Sequence, residues 1–228
     1  MATLLQIRTE ARNLLDDTST AGVTQRWTDA DLNSYINDAQ YEFAVTTGVV
    51  TKKVTISLTN NVAEYTITAP GLVGPLDTVY FVSGSSPVFT RTLYPTTEKQ
   101  LDATVGPTWR DEVFSCDNRQ APVQYYLTPD TTASSSAALF KIGIYRKPSI
   151  SAGSHSLVIS GPVVPTTLSS DSDIPEIFLQ FHQALPYGCA YRALLRNQDT
   201  VSLELAGAYK TRFNEFVEMA RATLGGVR

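Results

Sequence analysis

The hydrophobic period of this chain changes twice, and those two changes restrict its fold more than any single motif does. Up to about residue 49, apolar residues recur every three or four positions. From Val50 to about Pro165 they alternate, or cluster in short β-branched and aromatic runs broken by Pro, Gly and Ser; after that the helical rhythm returns. Helices with one apolar face are not stable alone in water, so those at the two ends most simply close on one another. The expected fold class is therefore α+β. An antiparallel helical bundle from residues 1–49 and 166–228 carries an inserted antiparallel β-module, sandwich- or barrel-like, over residues 50–165.

The best-marked helix lies in "RWTDADLNSYINDAQYEFA". Thr28 caps it, Asp29 and Asp31 complement the dipole of the first turn, and Gly48 ends it. Leu32, Tyr35, Ile36, Ala39 and Phe43 share one face. An earlier helix spans about Thr3 to Asp16, with Leu4, Ile7, Ala11, Leu14 and Leu15 as its stripe. A third is expected from an Asp173 cap, with Pro175 and Glu176 in its first turn, and Pro186 should kink it. The fourth takes Val201, Leu205, Ala208, Phe213, Phe216, Ala220 and Leu224 as its buried face, and "GGVR" frays beyond it. The bundle core predicted from these stripes is Leu32, Tyr35, Ile36, Phe43, Phe181, Leu205, Phe213 and Phe216.

In the middle, "VVTKKVTISL" and "EYTIT" read as a hairpin across "TNNVA". Further strands are expected in "DTVYFVSG", "SPVFTRTLY", "RDEVFSC", "VQYYLTP", "ALFKIGIYRKP" and "SLVISG". A helical turn capped by Thr97 fits "PTTEKQLDAT", and "TTASSS" reads as a loop tip.

Chemistry is hard to find. Among 228 residues there are two cysteines, Cys116 and Cys189, far apart and outside any CxxC, so both are expected to be reduced. The two histidines do not suggest a catalytic pair: His155 sits in the turn-like "SAGSHS" and reads as exposed, and His182 stands seven residues from Cys189. Asp171, Asp173 and Glu176 are accounted for by helix capping. No phosphate loop is present, and the glycines Gly71, Gly74, Gly84 and Gly106 lie in turns. A net charge of −4 disfavours a protein that reads nucleic acid sequence. Lys52, Lys53, Arg91, Arg110, Arg119, Arg146 and Lys147 read as solvated strand edges rather than a nucleic-acid face. The N-terminal stretch carries charges within its apolar rhythm, unlike a signal peptide, and no apolar run approaches a membrane span. A soluble intracellular product without cofactor, metal or catalytic residues is expected.

Three stretches together resemble the head-to-tail adaptor (connector) proteins of tailed bacteriophages. "RWTDADLNSYINDAQYEFA" is similar to that family's second helix, "APVQYYLTP" with "IGIYRKPSI" to its paired strands, and "IPEIFLQFHQALPYGCAYRALLRNQDTVSLELAGAYKTRFNEFV" to its closing helical pair. Pro186 and Gly188 depart from an uninterrupted alanine-rich helix, and the β-part is long. The resemblance implies a structural virion protein rather than an enzyme, assembled in the host bacterial cytoplasm and located at the neck between head and tail. It implies a ring of neighbouring copies, dodecameric in related virions, under the portal protein. That ring would seal the DNA exit and offer a platform to tail or nozzle proteins, with double-stranded DNA crossing the lumen unread and no membrane involved. It also implies a portal joint at the C-terminus, here Arg221, Leu224, Gly225, Gly226, Val227 and Arg228, with the face around Asn33, Asn37 and Asp38 as the alternative. The competing readings are a head-completion or tail-terminator ring, a β-rich carbohydrate- or protein-binding module using Trp109 and the tyrosines, and a hydrolase using His182 or a carboxylate pair.

Overall fold

The computed structural model describes residues 2–18, 25–67, 72, 75–84, 88–114, 122–129, 140–148, 155–196 and 200–225. Three of its helices start in the same way. Thr3, Thr28 and Thr97 each accept the backbone N–H three residues on, and the Gln6, Asp31 or Gln100 side chain found there returns to the cap N–H. These capping boxes open α1 (Leu4–Leu14), α2 (Asp29–Thr47) and α3 (Glu98–Thr104). Gly48, at φ 64°, closes α2 in a left-handed conformation that costs glycine little.

The third expected helix begins later than its sequence suggests. Asp173 does not cap it; its carboxylate accepts the N–H groups of Ser169 (2.7 Å) and Ser170 (2.8 Å), which closes a loop. Glu176 is likewise committed to Thr166, at 2.7 Å from its hydroxyl. Ile174, which precedes a proline, is sterically biased against helix. Regular structure starts with one 3-10 turn, Leu179–Phe181, followed by α4 (Ala184–Leu195). Pro186 is thereby the third residue of α4, where a helix leaves its N–H groups unpaired in any case, so no internal hydrogen bond is lost there. The last helix is α5 (Thr200–Gly225).

The chain divides into two units, Met1–Val50 with Val164–Arg228, and Thr51–Val163. In the helical unit α4 is the hub, with nine of its twelve residues buried. Gly188 explains how its neighbours reach it: a Cβ there would stand 2.7 Å from the Ala39 Cβ on α2 and 2.9 Å from the Phe213 ring on α5. Phe43 meets Phe181 (centroids 5.6 Å apart) and Phe213 (6.1 Å, edge-on), and Leu32, Ile36, Phe216 and Ala220 complete the packing. Tyr35 is half-buried at the margin. Leu205 is not core. It is 40% exposed, and Ala206 is buried instead. Ala206 precedes Phe213 by seven residues, two helical turns, whereas Leu205 precedes it by eight and is rotated off that face, as are the exposed Val201 and Ala208. Phe43→Ala should cost about 3–5 kcal/mol by emptying the centre of this cluster. Denaturant unfolding measures it, and an unchanged midpoint would remove Phe43 from the core.

The other unit holds β1 (Thr51–Ser57), β2 (Glu64–Thr66), β3 (Thr78–Val82), β4 (Thr90–Thr92), β5 (Tyr94–Pro95), β6 (Val113–Phe114), β7 (Gln124–Pro129), β8 (Phe140–Tyr145), β9 (Lys147–Pro148) and β10 (Ser156–Pro162). Two four-stranded sheets run β1-β10-β3-β4 and β2-β8-β7-β5, and β6 pairs with β9. The β7–β8 pair is antiparallel, as expected of "VQYYLTP" and "IGIY". Two short pairs, β5–β7 and β6–β9, are parallel.

β1 and β2 do not form the expected hairpin. β1 pairs with β10 over its whole length, from Thr51↔Pro162 to Ser57↔Ser156, and β2 pairs with β8. The turn between them carries the chain away, because the Asn61 N–H is committed to the Pro148 carbonyl (2.7 Å). His155 is also unlike its expected exposed loop position. It is buried, stacked on Phe81 with centroids 5.5 Å apart, and its Nδ1 accepts the Gly84 N–H (3.2 Å). The "TTASSS" tip lies outside the described residues.

Candidate interaction surface

His182, Cys189, Asp171, Asp173 and Glu176 are each held by a separate partner. His182 Nε2 lies 3.0 Å from the Ile177 carbonyl, and the Cys189 thiol points to the Leu32 carbonyl (3.7 Å). Burial pushes that thiol up to about 12, which keeps it protonated and poorly nucleophilic at neutral pH. Asp171 pairs with Arg8 (3.0 Å), while Asp173 and Glu176 close the loop described above, so these three carboxylates secure chain segments rather than cap a helix. Among the described residues no group of His, Cys, Asp and Glu is arranged to hold a metal ion, and no helix is long and apolar enough to cross a membrane. Cys116, Gly71 and Gly74 lie outside the described residues.

Around Trp109 the aromatic and charged residues of the β unit satisfy one another. Trp109 is only 2% exposed, and its indole N–H donates to Asp102 (2.7 Å). Tyr126 and Tyr145 stand edge-on to its ring, and the Arg110 guanidinium lies 4.3 Å from the ring centroid while pairing with Asp102 (3.2 Å) and Glu98 (3.4 Å). Gly143 leaves room for Tyr126, since a Cβ there would fall 2.1 Å from the phenol ring. A sugar therefore finds no open Trp109 face to stack on, which removes Trp109 from the carbohydrate reading, while Tyr94 is exposed. Arg146 pairs with Glu112 (2.9 Å) and Lys147 with Asp111 (3.8 Å), so neither is a free phosphate ligand; Arg119 lies outside the described residues.

Arg8 and Arg12 form a clasp in the helical unit that the apolar stripes did not reveal. They are nearly buried on α1, each one residue beyond a core position, Ile7 or Ala11. Arg12 reaches Asp17 (2.5 Å), Asp29 (2.6 Å) and the Trp27 carbonyl (3.1 Å). Arg8 reaches Asp29 (3.3 Å), Asp171 (3.0 Å) and the Asn33 side chain (3.0 Å). The available signal was an i, i+4 arginine pair facing the acidic start of α2, where the helix dipole already favours carboxylates.

The Arg12 hydrogen bond, aided by the charges of Arg8 and Arg12, holds Asp29 below its ordinary 3.8. Hydrogen bonds from Thr28 do the same for Asp31, and the Ser170 and Ser169 amides for Asp173. A carboxylate depressed in the fold stabilises it above its unfolded value and loses that contribution as pH falls through the folded one. The helical unit should therefore begin to lose thermal stability near pH 3.8 and lose more below it, and Asp29→Asn should flatten this acid limb. Circular dichroism melts across that range test both statements, and an acid limb of the same slope in wild type and variant would exclude Asp29.

The C-terminal helix ends against α2. Arg221 donates from Nε to the Thr46 carbonyl (3.3 Å), in the last turn of α2, and pairs with Glu218 (2.8 Å). Leu224 is half-buried against the core, α5 ends at Gly225, and Gly226, Val227 and Arg228 lie outside the described residues. The alternative face around Asn33, Asn37 and Asp38 is largely committed within the unit. Asn33 accepts from Arg8, and Asn37 clasps Leu168 through both its N–H (2.8 Å) and its carbonyl (3.0 Å), which leaves Asp38 exposed. A cleft of about 350 Å³ between α1 and α4, lined by Glu10, Asn13, Leu14, Gln183, Pro186 and Tyr187, holds one carboxylate and no histidine or cysteine.

Compared with known protein families, the chain matches the family model described as SU10 adaptor protein over residues 2–227, nearly its whole length. No curated protein matches it.

Proposed function

The chain belongs to the SU10 adaptor protein family, which makes it a phage adaptor-type structural protein of the virion, and on that premise we propose that it is a head-to-tail adaptor. In this reading, copies assemble as a ring, dodecameric by analogy, beneath the portal protein. They seal the DNA exit and present a platform to tail or nozzle proteins, and the double-stranded DNA in the lumen is not read. The observation that carries the reading is the family match along residues 2–227, which takes in both the helical unit and the β unit. Acidic net charge agrees with it, because a lumen that must let DNA slide gains nothing from neutralising its phosphates. The self-paired arginines around Glu98, Asp102 and Glu112 fit the same requirement.

The portal joint is placed at the C-terminus. Leu224 and Val227 supply small apolar anchors, Gly225 and Gly226 let the chain leave α5 at angles other residues resist, and Arg221 and Arg228 can pair with acidic portal groups. Leu224, which rests on the core, is kept in a chain that ends before Gly225. Deleting Gly225 to Arg228 should leave the melting midpoint unchanged and weaken co-purification with portal by about tenfold or more, equivalent to about 1.4 kcal/mol or more. Equal recovery of truncated and full chains on portal would move the joint elsewhere. Light scattering of the purified chain alone should show monomer, and a stable ring without portal would remove the portal's role as template.

A further inference from the structure

The first half of α5 carries an apolar stripe that its own unit leaves uncovered. Val201, Leu205 and Ala208 follow one another at helical spacing, with Val201 75% and Leu205 40% exposed, while Ala206, Phe213, Val217 and Ala220 form the separate core face. A helix that only closed a bundle would need one apolar face; α5 has two. A second exposed stripe lies on α2, where Asp38, Tyr41 and Val45 point away from Leu32, Ile36, Ala39 and Phe43; Tyr41 is 49% and Val45 39% exposed.

We propose that these stripes are the two halves of one joint between copies of this chain, the α5 stripe of one copy packing antiparallel along the α2 stripe of the next. The proposal rests on the ring reading above and deepens it. The spacing of the two stripes is the same, and their charges select the direction. Run antiparallel, Val201 faces Val45, Leu205 faces Tyr41 and Ala208 faces Asp38. Arg212, one turn beyond Ala208, then comes within reach of the Asp38 carboxylate. Among the described residues Asp38 has no ion pair, and Arg212, which holds Glu215, has donors to spare. Run parallel, Asp38 would be pressed on Leu205 and Arg212 on Val45, which strands both charges on aliphatic groups.

Because the two patches differ and each copy carries one of each, the contact is head-to-tail and propagates around a ring. From Val201 to Arg212 the helix rises only about 16 Å, and a two-helix contact of that length falls well short of the roughly 1,200 Å² of a stable interface. The joint is therefore weak unless a template holds the copies side by side.

Disulfide trapping tests it on the full-length chain in a Cys116→Ser background, where buried Cys189 stays inert. The variant carrying Val45→Cys and Val201→Cys is oxidised both on portal and as concentrated purified protein. The expected result is a ladder of linked chains from dimer upward, with about tenfold more product than Val45→Cys paired with Arg212→Cys, the parallel alignment. Leu205→Asp, an exposed change that should leave the melting midpoint unaltered, should abolish the ladder. Equal linkage in the parallel pair, or preferential self-linkage of Val201→Cys alone, would overturn the proposal. Links without portal association would keep the joint and sink the portal reading; portal association without links would do the reverse; neither would sink both.

Discussion

The helical unit depends on one missing side chain. α2 and α5 both approach α4 at Gly188, where even a methyl group would collide with Ala39 and Phe213. With Gly188 in place, Phe43 meets Phe181 and Phe213, and the aromatic centre forms. Once α4 is enclosed on several sides its polar partners must be local or paired, which accounts for Cys189 against the Leu32 carbonyl and for Arg192 bonded to the Gly188 carbonyl and to Glu42. Around this hub the Arg8 and Arg12 clasp fixes α1 to the start of α2. Asn37, with Gln40 donating to the Thr166 carbonyl (3.0 Å), ties α2 to the loop that leads into α4.

The β unit meets a different constraint, that of an insertion whose ends must lie close together to leave its host intact. Pairing β1 with β10 meets it directly, because Thr51 and Pro162 are register partners. Periodicity located these strands, and even the short α3 with its Thr97 box, since both signals are local. It misassigned the partner of β1, because alternation specifies which face of a strand is apolar and says nothing about which strand lies beside it. His155 was misread for a similar reason: a turn-like sequence marks a bend in the chain, whereas burial is decided by what packs over it, here Phe81.

Helix positions were legible where caps and stripes agreed, as at Thr28 and Gly48. They were misleading where an acidic residue had a competing use. Asp173 has the look of a cap, yet the nearest unpaired N–H groups were those of Ser169 and Ser170. The face of α5 was misregistered by one residue in its first half, since Val201, Leu205 and Ala208 satisfy a helical stripe as well as the true core face does. Apolar spacing shows that a helix face is buried in something, without showing that the partner belongs to the same chain. The buried arginines escaped notice because charge is read as surface by default, and only the acidic cluster they meet makes their burial tolerable.

α5 is where these constraints converge. Its 26 residues form a rod of about 39 Å, with a face in the core, an exposed apolar stripe in its first half and the proposed portal segment at its end. The core contacts of Phe213, Phe216 and Ala220 sit between the two outer sites and hold the rod against α4. Fixing either outer site on a partner therefore limits the positions open to the other. Such coupling is reciprocal: if a seated neighbour favours ordering of the C-terminal segment, an ordered segment favours seating of the neighbour to the same degree. In the proposed assembly, a weak lateral contact and a short terminal segment, each inadequate alone, would then reinforce one another only when copies are already aligned on a common template.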